Sequence, residues 1–459
     1  MRKLAIFVAV AVLLTASVAT GQWLETTINL PNTAMPLALC YNPTNNKVYC
    51  ANYGNNSVTI VDGATNQVIA TVAADTCPRA LCYNSRDNKT YCGNQEARSV
   101  TILDGSNDSV LGSVSVGSGP RALCYNPADN KIYCANEHGG SVTVIDGSTN
   151  QVLASVLTGS EPQALCCNSA NDKVYCACSG PDSGYVYVID GVTNALLGRI
   201  TVGPGAWALC WNARENKVYC ASSDADTVAI IDGSSDSLLA TVAVGSAPLD
   251  LVWNSQDDEA YCANSGSRSL TVIDGTSDSV VATVPGGNMP CALLYNSQNN
   301  KVYCANWNGA DVTVTDGATR QVLRSIPVGA APASFCRNPQ QNRVYVANMS
   351  SSTISVLRDS MPVGVTEGTA PCALRSTTAA TVVRGVLHLS SSPYPLPAGE
   401  GQGVTERSVL LDASGRKVLD LLAGPNDVRR LAPGVYFVRQ EPQASSRKPQ
   451  AVSKVIIAQ

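Results

Sequence analysis

The chain has 459 residues, 14% of them charged, and a formal net charge of −4. This weak acidity, without a basic stripe, argues against nucleic acid as a partner. The chain holds two histidines, His138 and His388. The small number of histidines therefore argues against catalysis by a histidine base or by a zinc ion with histidine ligands. The length suits one large domain and one small one.

Residues 1–21 predict a cleaved secretory signal. Arg2 and Lys3 give a positive start, residues 4–14 are apolar, and small residues follow. The apolar run is too short to span a bilayer stably, although a retained membrane anchor is the alternative. No later stretch is long and apolar enough to cross a membrane, so we expect a secreted or cell-surface protein whose mature chain has no membrane span.

A repeat of about 40 residues organises the chain from Pro36 to Leu357. The first unit reads PLALCYNPTNNKVYCAN from Pro36 to Asn52, followed by SVTIVDG and QVIATV. The asparagine of the LCYN block marks eight units: Asn42, Asn84, Asn126, Asn168, Asn212, Asn254, Asn296 and Asn338.

Each unit holds four short β-prone runs, which we call strands A to D, separated by turn sequences such as NPTNNK and DGATN. The runs are apolar on both faces, which suits sheets that cover one another as propeller blades do. The prediction is an all-β, eight-bladed β-propeller of four-stranded blades over residues 22–358, with seven blades as the alternative. The last unit lacks a strand D, and we expect a spare strand at residues 23–28 to complete that blade and close the ring.

The unit also resembles a known repeat. Its B strand reads YCAN at 49–52, 133–136, 261–264 and 303–306 and YVAN at 345–348, with NxVY ahead and VxVIDG behind. This pattern is similar to the YVTN β-propeller repeat of bacterial and archaeal surface proteins. The resemblance implies extracellular binding, adhesion or a surface-layer role, with a protein or glycan ligand. The chain departs from that family in having eight units rather than the usual seven, and cysteine where the family has valine or alanine.

The last hundred residues differ in composition. Residues 359–380 are predicted to be a linker, and residues 381–459 a small β-sandwich. The segments DASGRKV, LAPGVYFV and KVIIA resemble the C-terminal sorting domains of type IX secretion cargo. That resemblance implies surface attachment, with the secretion machinery as a partner of this domain. A plain accessory β-sandwich is the alternative.

Candidate binding residues are sought where the repeats differ, because positions that are identical in every unit serve the scaffold. A variable position near the start of strand A holds Leu37, Arg79, Arg121, Gln163, Trp207, Leu249, Cys291 and Ala333. The loops between strands B and C, expected on the same face around the channel, also vary. Ionic and aromatic side chains on a concave face suit recognition. The candidates are Arg79, Arg121, Gln163, Trp207, Glu137, His138 and Trp307, with solvated loop residues as the alternative at each position.

No catalytic, metal or cofactor site is predicted. The aspartates of the Asp-Gly turns, from Asp62 to Asp316, occur once per blade, so they cannot converge on one ion and are assigned to the turns. The adjacent Cys166 and Cys167 resemble the pair in eight-bladed quinoprotein dehydrogenases, but the tryptophan-bearing motif of those blades is absent. His138 and scattered carboxylates form no recognisable catalytic set.

The leading functional hypothesis is a secreted or cell-surface binding or adhesion protein without a catalytic constellation. One alternative is a secreted propeller hydrolase or lactonase that acts at the channel mouth. Another is a surface structural protein that associates with copies of itself.

Ten cysteines form five pairs across the A–B hairpins: Cys40 and Cys50, Cys82 and Cys92, Cys124 and Cys134, Cys166 and Cys176, and Cys210 and Cys220. If residues 43–47 form the loop, Cys40 lies opposite Cys50, within disulfide reach. Because export permits oxidation, five disulfides within the hairpins are favoured. Buried, unpaired thiols are the alternative.

Overall fold

The computed structural model describes residues 21–180 and 183–359, and the backbone of seven strands between residues 378 and 457. It divides into two compact units, Met1–Thr366 and Glu367–Gln459. The predicted signal peptide, apart from its last residue, and most of the predicted linker lie outside the described residues. No helix among the described residues is long and apolar enough to cross a membrane.

The first unit is a ring of eight four-stranded antiparallel sheets, which confirms the predicted eight-bladed propeller. Strands A are β2 (Pro36–Asn42), β6 (Pro78–Asn84), β10 (Pro120–Asn126), β14 (Pro162–Asn168), β18 (Ala206–Asn212), β22 (Pro248–Asn254), β26 (Pro290–Asn296) and β30 (Pro332–Asn338). Strands B are β3 (Lys47–Asn52), β7 (Lys89–Asn94), β11 (Lys131–Asn136), β15 (Lys173–Cys178), β19 (Lys217–Ser222), β23 (Glu259–Asn264), β27 (Lys301–Asn306) and β31 (Arg343–Asn348).

The outer half of each blade is formed by strands C and D. Strands C are β4 (Ser57–Asp62), β8 (Ser99–Asp104), β12 (Ser141–Asp146), β16 (Gly184–Asp190), β20 (Thr227–Asp232), β24 (Ser269–Asp274), β28 (Asp311–Asp316) and β32 (Thr353–Arg358). Strands D are β5 (Val68–Ala73), β9 (Val110–Ser115), β13 (Val152–Leu157), β17 (Leu196–Val202), β21 (Leu238–Ala243), β25 (Val280–Pro285), β29 (Val322–Pro327) and, for blade 8, β1 (Trp23–Asn29).

The N-terminal strand closes the ring. β1 pairs antiparallel with β32, so blade 8 is built from both ends of the propeller sequence, as the spare strand suggested. Glu25 on β1 forms ion pairs with Arg343 at 2.6 Å and with Arg358 at 3.2 Å. Strands A of neighbouring blades pack against one another around the whole circle, including β30 against β2. Strands A are therefore innermost and line the channel.

The core lies between the blades. Tyr133 and Val144 of blade 3, for example, pack in one buried cluster with Val174 and Cys176 of blade 4. The tyrosine at the third position of each strand B is fully buried in all eight blades. Strands B and C, such as β3 and β4, are buried on both faces, which explains why they do not alternate between apolar and polar residues. Strands D, such as β5 and β9, are largely exposed.

At one end of strand A, the repeated asparagine of seven blades donates a hydrogen bond to the next blade, a contact that we call the clasp. In blade 6, Asn254 donates to Asp257 of its own turn. Asn84 of blade 2 accepts hydrogen bonds at Oδ1 from two backbone N–H groups of its own turn (2.9 and 3.1 Å). Its Nδ2 donates to Asn130 Oδ1 of blade 3 at 2.9 Å. Asn338 donates in the same way to Asn46 across the ring closure at 2.8 Å. The clasp thus uses the residue that varies least among the repeats.

A second part of the clasp joins the first residue of strand B to the C–D turn of the next blade. Lys47 pairs with Asp108 at 2.8 Å, and both are largely buried. Between blades 6 and 7 the charges are reversed. The strand B residue is the acidic Glu259, which accepts a hydrogen bond from Nε of Arg320, in the C–D turn of blade 7, at 2.9 Å. Between blades 2 and 3 the acceptors are neutral, because Lys89 donates to Gly147 O at 2.7 Å and to Asn150 Oδ1 at 3.0 Å. This contact therefore accommodates ion pairs of either orientation as well as neutral hydrogen-bond acceptors.

The predicted disulfides are wrong, because the hairpin register differs by one residue. Asn42 pairs with Lys47, and Cys50 pairs with Leu39 instead of Cys40. Since successive side chains on a strand point to opposite faces, Cys40 and Cys50 lie on opposite faces of the blade. The other four hairpins have the same register. The thiols are free at Cys40, Cys50, Cys82, Cys92, Cys124, Cys134, Cys166, Cys176, Cys210 and Cys220.

The described strands of the second unit form two antiparallel sheets. One has the order β33 (Thr378–Val383), β34 (Val386–Ser391), β37 (Gly424–Asp427). The other has the order β36 (Lys417–Leu421), β35 (Ser408–Leu411), β38 (Gly434–Gln440), β39 (Val452–Ile457). Residues 412–416, the DASGR part of the segment DASGRKV, lie outside the described residues. The packing of these strands as a β-sandwich stays a prediction.

Candidate functional site

The variable residue near the start of each strand A lies in a β-bulge. In blade 1 the pairing of β2 with β3 shifts between Pro36 and Ala38, which leaves Leu37 without a partner. A bulge turns the extra residue out of the regular alternation of the sheet. The same shift recurs in every blade and defines the mouth ring: Leu37, Arg79, Arg121, Gln163, Trp207, Leu249, Cys291 and Ala333.

The mouth ring surrounds a cavity of about 440 Å³, which is within the range of small-molecule sites. We call it the mouth cavity. Its lining is Leu37, Arg79, Arg121, Gln163, Leu249, Asp250, Cys291, Ala292, Leu293, Ala333, Ser334 and Phe335. All residues of the mouth ring except Trp207 belong to this lining. Side chains that are one repeat apart in sequence therefore meet at a single site.

Glu137 organises the polar side of the mouth cavity. Its Oε1 accepts hydrogen bonds from Arg121 Nη1 at 2.9 Å and from Gln163 Nε2 at 3.4 Å. Its Oε2 accepts from Gln95 Nε2 at 3.3 Å, and Gln95 Oε1 accepts in turn from Arg79 Nη1 at 3.2 Å. Three predicted candidates from neighbouring blades, Arg79, Arg121 and Gln163, are thus connected through the fourth, Glu137.

Arg121 also stacks on the mouth-ring tryptophan. Its guanidinium carbon lies 4.5 Å from the ring centroid of Trp207, a cation–π distance. Burial, and then the like charge of Arg79, lower the pKa of Arg121, while Glu137 opposes the shift. Two guanidinium groups therefore share this side of the cavity. Arg121 is neutralised by Glu137, whereas Arg79 forms no ion pair among the described residues.

Asp250 lines the mouth cavity and was missed by the sequence prediction. Its carboxylate accepts hydrogen bonds from the backbone N–H groups of Leu251 at 2.9 Å and Leu293 at 2.7 Å. Burial raises the pKa of Asp250 to about 6, against the lowering effect of those two hydrogen bonds. The sequence could have identified Asp250 as a candidate, because the equivalent position in the other seven units holds only alanine or serine, such as Ala38 and Ser334.

Two polar atoms of the cavity lining are buried without a partner. Gln163 Oε1 and Ser334 Oγ have no hydrogen-bond partner among the described residues. A buried polar group without a partner costs free energy, which a bound ligand can recover by supplying the missing hydrogen bond. Buried atoms outside the cavity, such as Thr90 Oγ1 and Ser222 Oγ, also lack a partner among the described residues. What distinguishes Gln163 and Ser334 is that both residues line the mouth cavity.

The eight-fold ring arranges the mouth ring in two arcs. Blades 2 to 5 contribute Arg79, Arg121, Gln163 and Trp207, and blades 6, 7, 8 and 1 contribute Leu249, Cys291, Ala333 and Leu37. In a ring of eight, blade 6 lies opposite blade 2, so Asp250 on the apolar arc lies across the channel from Arg79. The cavity therefore has a cationic, polar side that faces an apolar side carrying one carboxylate.

The remaining candidates lie outside the lining of the mouth cavity. His138 is exposed, and its Nε2 lies 4.0 Å from Glu137 Oε2. Trp307 is half-buried in the B–C loop of blade 7, where its backbone N–H donates to Met289 O at 2.9 Å. No group of three or more His, Cys, Asp or Glu side chains among the described residues is placed to hold a metal ion.

Comparison with known proteins places this fold in context. A family model for YNCE-like β-propellers matches residues 4–296. Hydrazine synthase of Kuenenia stuttgartiensis is similar over 72% of this chain and 97% of its own, with 16% identity and a TM-score of 0.52. Sqt1 of Saccharomyces cerevisiae is similar over 74% of this chain and 100% of its own, with 12% identity and a TM-score of 0.65. At these identities the likeness concerns the fold alone. No curated protein matches this chain.

Proposed function

This chain belongs to the YNCE-like β-propeller family, and we propose that it is an exported, non-catalytic binding protein that captures a small ligand in the mouth cavity. The observation that carries the proposal is the convergence of the mouth ring. A position that varies among otherwise similar repeats is bulged in every blade, and in seven of the eight blades its residue lines a common cavity. The scaffold does not require different side chains at this position. A site that binds a ligand with several different chemical groups does require them.

The chemistry of the cavity supports binding over catalysis. Its thiol, Cys291, donates to Pro332 O at 3.2 Å, and burial raises its pKa to about 12. A thiol with so high a pKa holds little of the nucleophilic thiolate at neutral pH. The hydrolase alternative relied on His138, which lies outside the cavity lining and is 57% exposed at its side chain.

Export and surface display form part of the proposal. Their support comes from the sequence: the positive and apolar N-terminal segment at 1–21, the YVTN-type repeat, and the tail at 381–459 that resembles a type IX sorting domain. Deleting residues 381–459 should leave the propeller folded but retain it inside the cell envelope. Normal display of the truncated chain would contradict a sorting role for the tail.

A cavity-filling variant tests the binding function. Ala333→Trp places a large side chain in the mouth cavity, and Ala64→Trp, at an exposed C–D turn, is the matched control. Each purified protein is incubated with a library of polar metabolites and peptides, and retained molecules are detected by native mass spectrometry. We expect the wild type and Ala64→Trp to retain the same molecules and Ala333→Trp to lose them. Retention of nothing by the wild type, or equal retention by Ala333→Trp, would count against the proposal.

Association between copies of the chain is a second candidate, favoured by the outer strands. All eight strands D begin with two exposed apolar residues, as in Val68 and Ile69, which are 42% and 47% exposed. Exposed edge strands with apolar side chains favour pairing with another chain. Light scattering after size-exclusion chromatography should then show an oligomer that Ile69→Thr and Leu111→Thr together weaken. A monomer at all concentrations would exclude this candidate.

A further inference from the structure

The mouth cavity carries two opposite charges that the protein does not neutralise. Arg79 donates to the neutral amide of Gln95, and Asp250 accepts only from two backbone N–H groups. Neither residue forms an ion pair among the described residues. Partly buried charges of this kind are normally paired, so a ligand that supplies both counter-charges would be strongly favoured.

These two charges lie on opposite sides of the cavity. Arg79 belongs to blade 2 and Asp250 to blade 6, four places further round a ring of eight. A ligand that reaches both must therefore have its own charges separated by a chain of several bonds. The guanidinium group suits a carboxylate, which it can bind through two parallel hydrogen bonds. Asp250 keeps free lone pairs for an ammonium group, because a carboxylate can accept about four hydrogen bonds.

The cavity lining also contains two polar atoms that could form hydrogen bonds with an amide group of the ligand. Gln163 Oε1 is an acceptor without a partner, and Ser334 Oγ is a hydroxyl without a partner. They belong to blades 4 and 8, which also face each other across the ring. A rotation of each side chain would let the amide oxygen accept from a ligand N–H and the hydroxyl donate to a ligand C=O. The apolar arc, with Leu249 and Phe335, suits aliphatic side chains.

We propose that the ligand of the mouth cavity is a short apolar peptide with free ends, of about dipeptide size, whose carboxylate binds Arg79 and whose ammonium group binds Asp250. This inference rests on the proposed binding function and specifies its ligand. The cavity of about 440 Å³ has room for two aliphatic residues. Ligands of one charge sign leave one of the two protein charges without its partner, and specificity follows from that penalty.

The test uses three dipeptides that differ only at their ends: Leu-Leu, N-acetyl-Leu-Leu and Leu-Leu amide. Isothermal titration calorimetry at pH 8 should show that the wild-type protein binds Leu-Leu at least about tenfold more tightly than either blocked form. Arg79→Gln should abolish the preference for a free carboxylate. Asp250→Ala, which installs the residue of most other blades, should abolish only the preference for a free amine. Arg86→Gln, at the exposed A–B turn of the same blade as Arg79, is the matched control and should keep both preferences.

The outcomes separate the two proposals. Equal binding of the three peptides, or no binding of Leu-Leu at millimolar concentration, would overturn the peptide inference. If molecules in the library are nevertheless retained by the wild type and lost with Ala333→Trp, the binding function stands and the ligand class is wrong. If both experiments fail, the mouth cavity is not a binding site.

Discussion

The two ends of each strand A obey different rules. At one end, every blade repeats the same buried asparagine, and in seven blades it donates a hydrogen bond to the next blade, as Asn84 does to Asn130. At the other end, the bulged position holds side chains that vary from blade to blade. In blade 2 this position is Arg79, near the start of β6. Repetition therefore marks the residues that hold the ring together, and variation marks the residues around the mouth cavity, the proposed binding site.

The largest effect is expected from removing the strand that closes the ring. Deletion of residues 22–30 exposes the edge of β32 and leaves Arg343 and Arg358 without Glu25. The free energy of unfolding should fall by more than about 4 kcal/mol, beyond the range of most single substitutions. Calorimetry measures the loss, with Glu25→Gln as the milder control. An unchanged Tm after the deletion would show that scaffold stability does not depend on closure.

The clasp and the mouth ring can be compared directly within one strand, β6. Asn84→Ala removes four side-chain hydrogen bonds, and it should lower the free energy of unfolding by about 2–4 kcal/mol. Arg79→Gln, at the mouth, should change it by less than about 1 kcal/mol, because substitutions away from the packed core are usually mild. Denaturant titration of both variants measures the difference. Similar losses at the two ends would break the distinction between scaffold and site.

The exchanged ion pair tests what the clasp requires. Glu259→Lys places a second cation beside Arg320, and since Glu259 is 2% exposed, it should cost about 2–3 kcal/mol. Adding Arg320→Asp recreates the pair of opposite sign found at Lys217 and Asp278, and it should recover most of that loss. A double-mutant cycle in denaturant measures the coupling. Additive losses would show that residue identity matters here beyond charge.

A smaller effect, confined to a pH window, is expected from Asp250. Its pKa in the folded state, about 6, lies above the ordinary value of 3.8, so the folded protein holds this proton more tightly than the unfolded chain. The resulting stability is fully present below about pH 4 and is lost as the pH rises through about 6. Relative to Asp250→Ala, the wild type should lose about 1–3 kcal/mol between pH 4 and pH 7.5. Parallel stability curves for the two proteins over this range would contradict the burial of the carboxyl group.

No effect is expected from reductant. Because Cys40 and Cys50 lie on opposite faces of the blade, the Tm should be the same with and without dithiothreitol. Alkylation after unfolding, without prior reduction, should label both thiols of each hairpin. A peptide that links Cys40 to Cys50 in non-reduced protein would require the predicted register after all.

The sequence predicted the scaffold better than the site. Eight repeated asparagines and a spare strand were enough for eight blades and for the closure by β1, because each repeat carries its own turn and pattern signals. The hairpin register was missed by one residue, since Asn46 adopts a φ of 51° and ends the turn earlier than a five-residue loop would. A slip of one residue moves every side chain to the other face, and this is why the disulfide prediction failed.

By itself, the sequence determined the number of blades, the strands in each and the position that varies among them, because these follow from local periodicity and turn chemistry. Only the tertiary structure decided which of the varying residues meet. Closing the ring brings Arg79 and Asp250, far apart in the chain, to opposite sides of one cavity. It also withdraws the Asp250 carboxyl group from water and so raises its pKa. Both effects depend on distances and burial across the channel, which no single repeat contains.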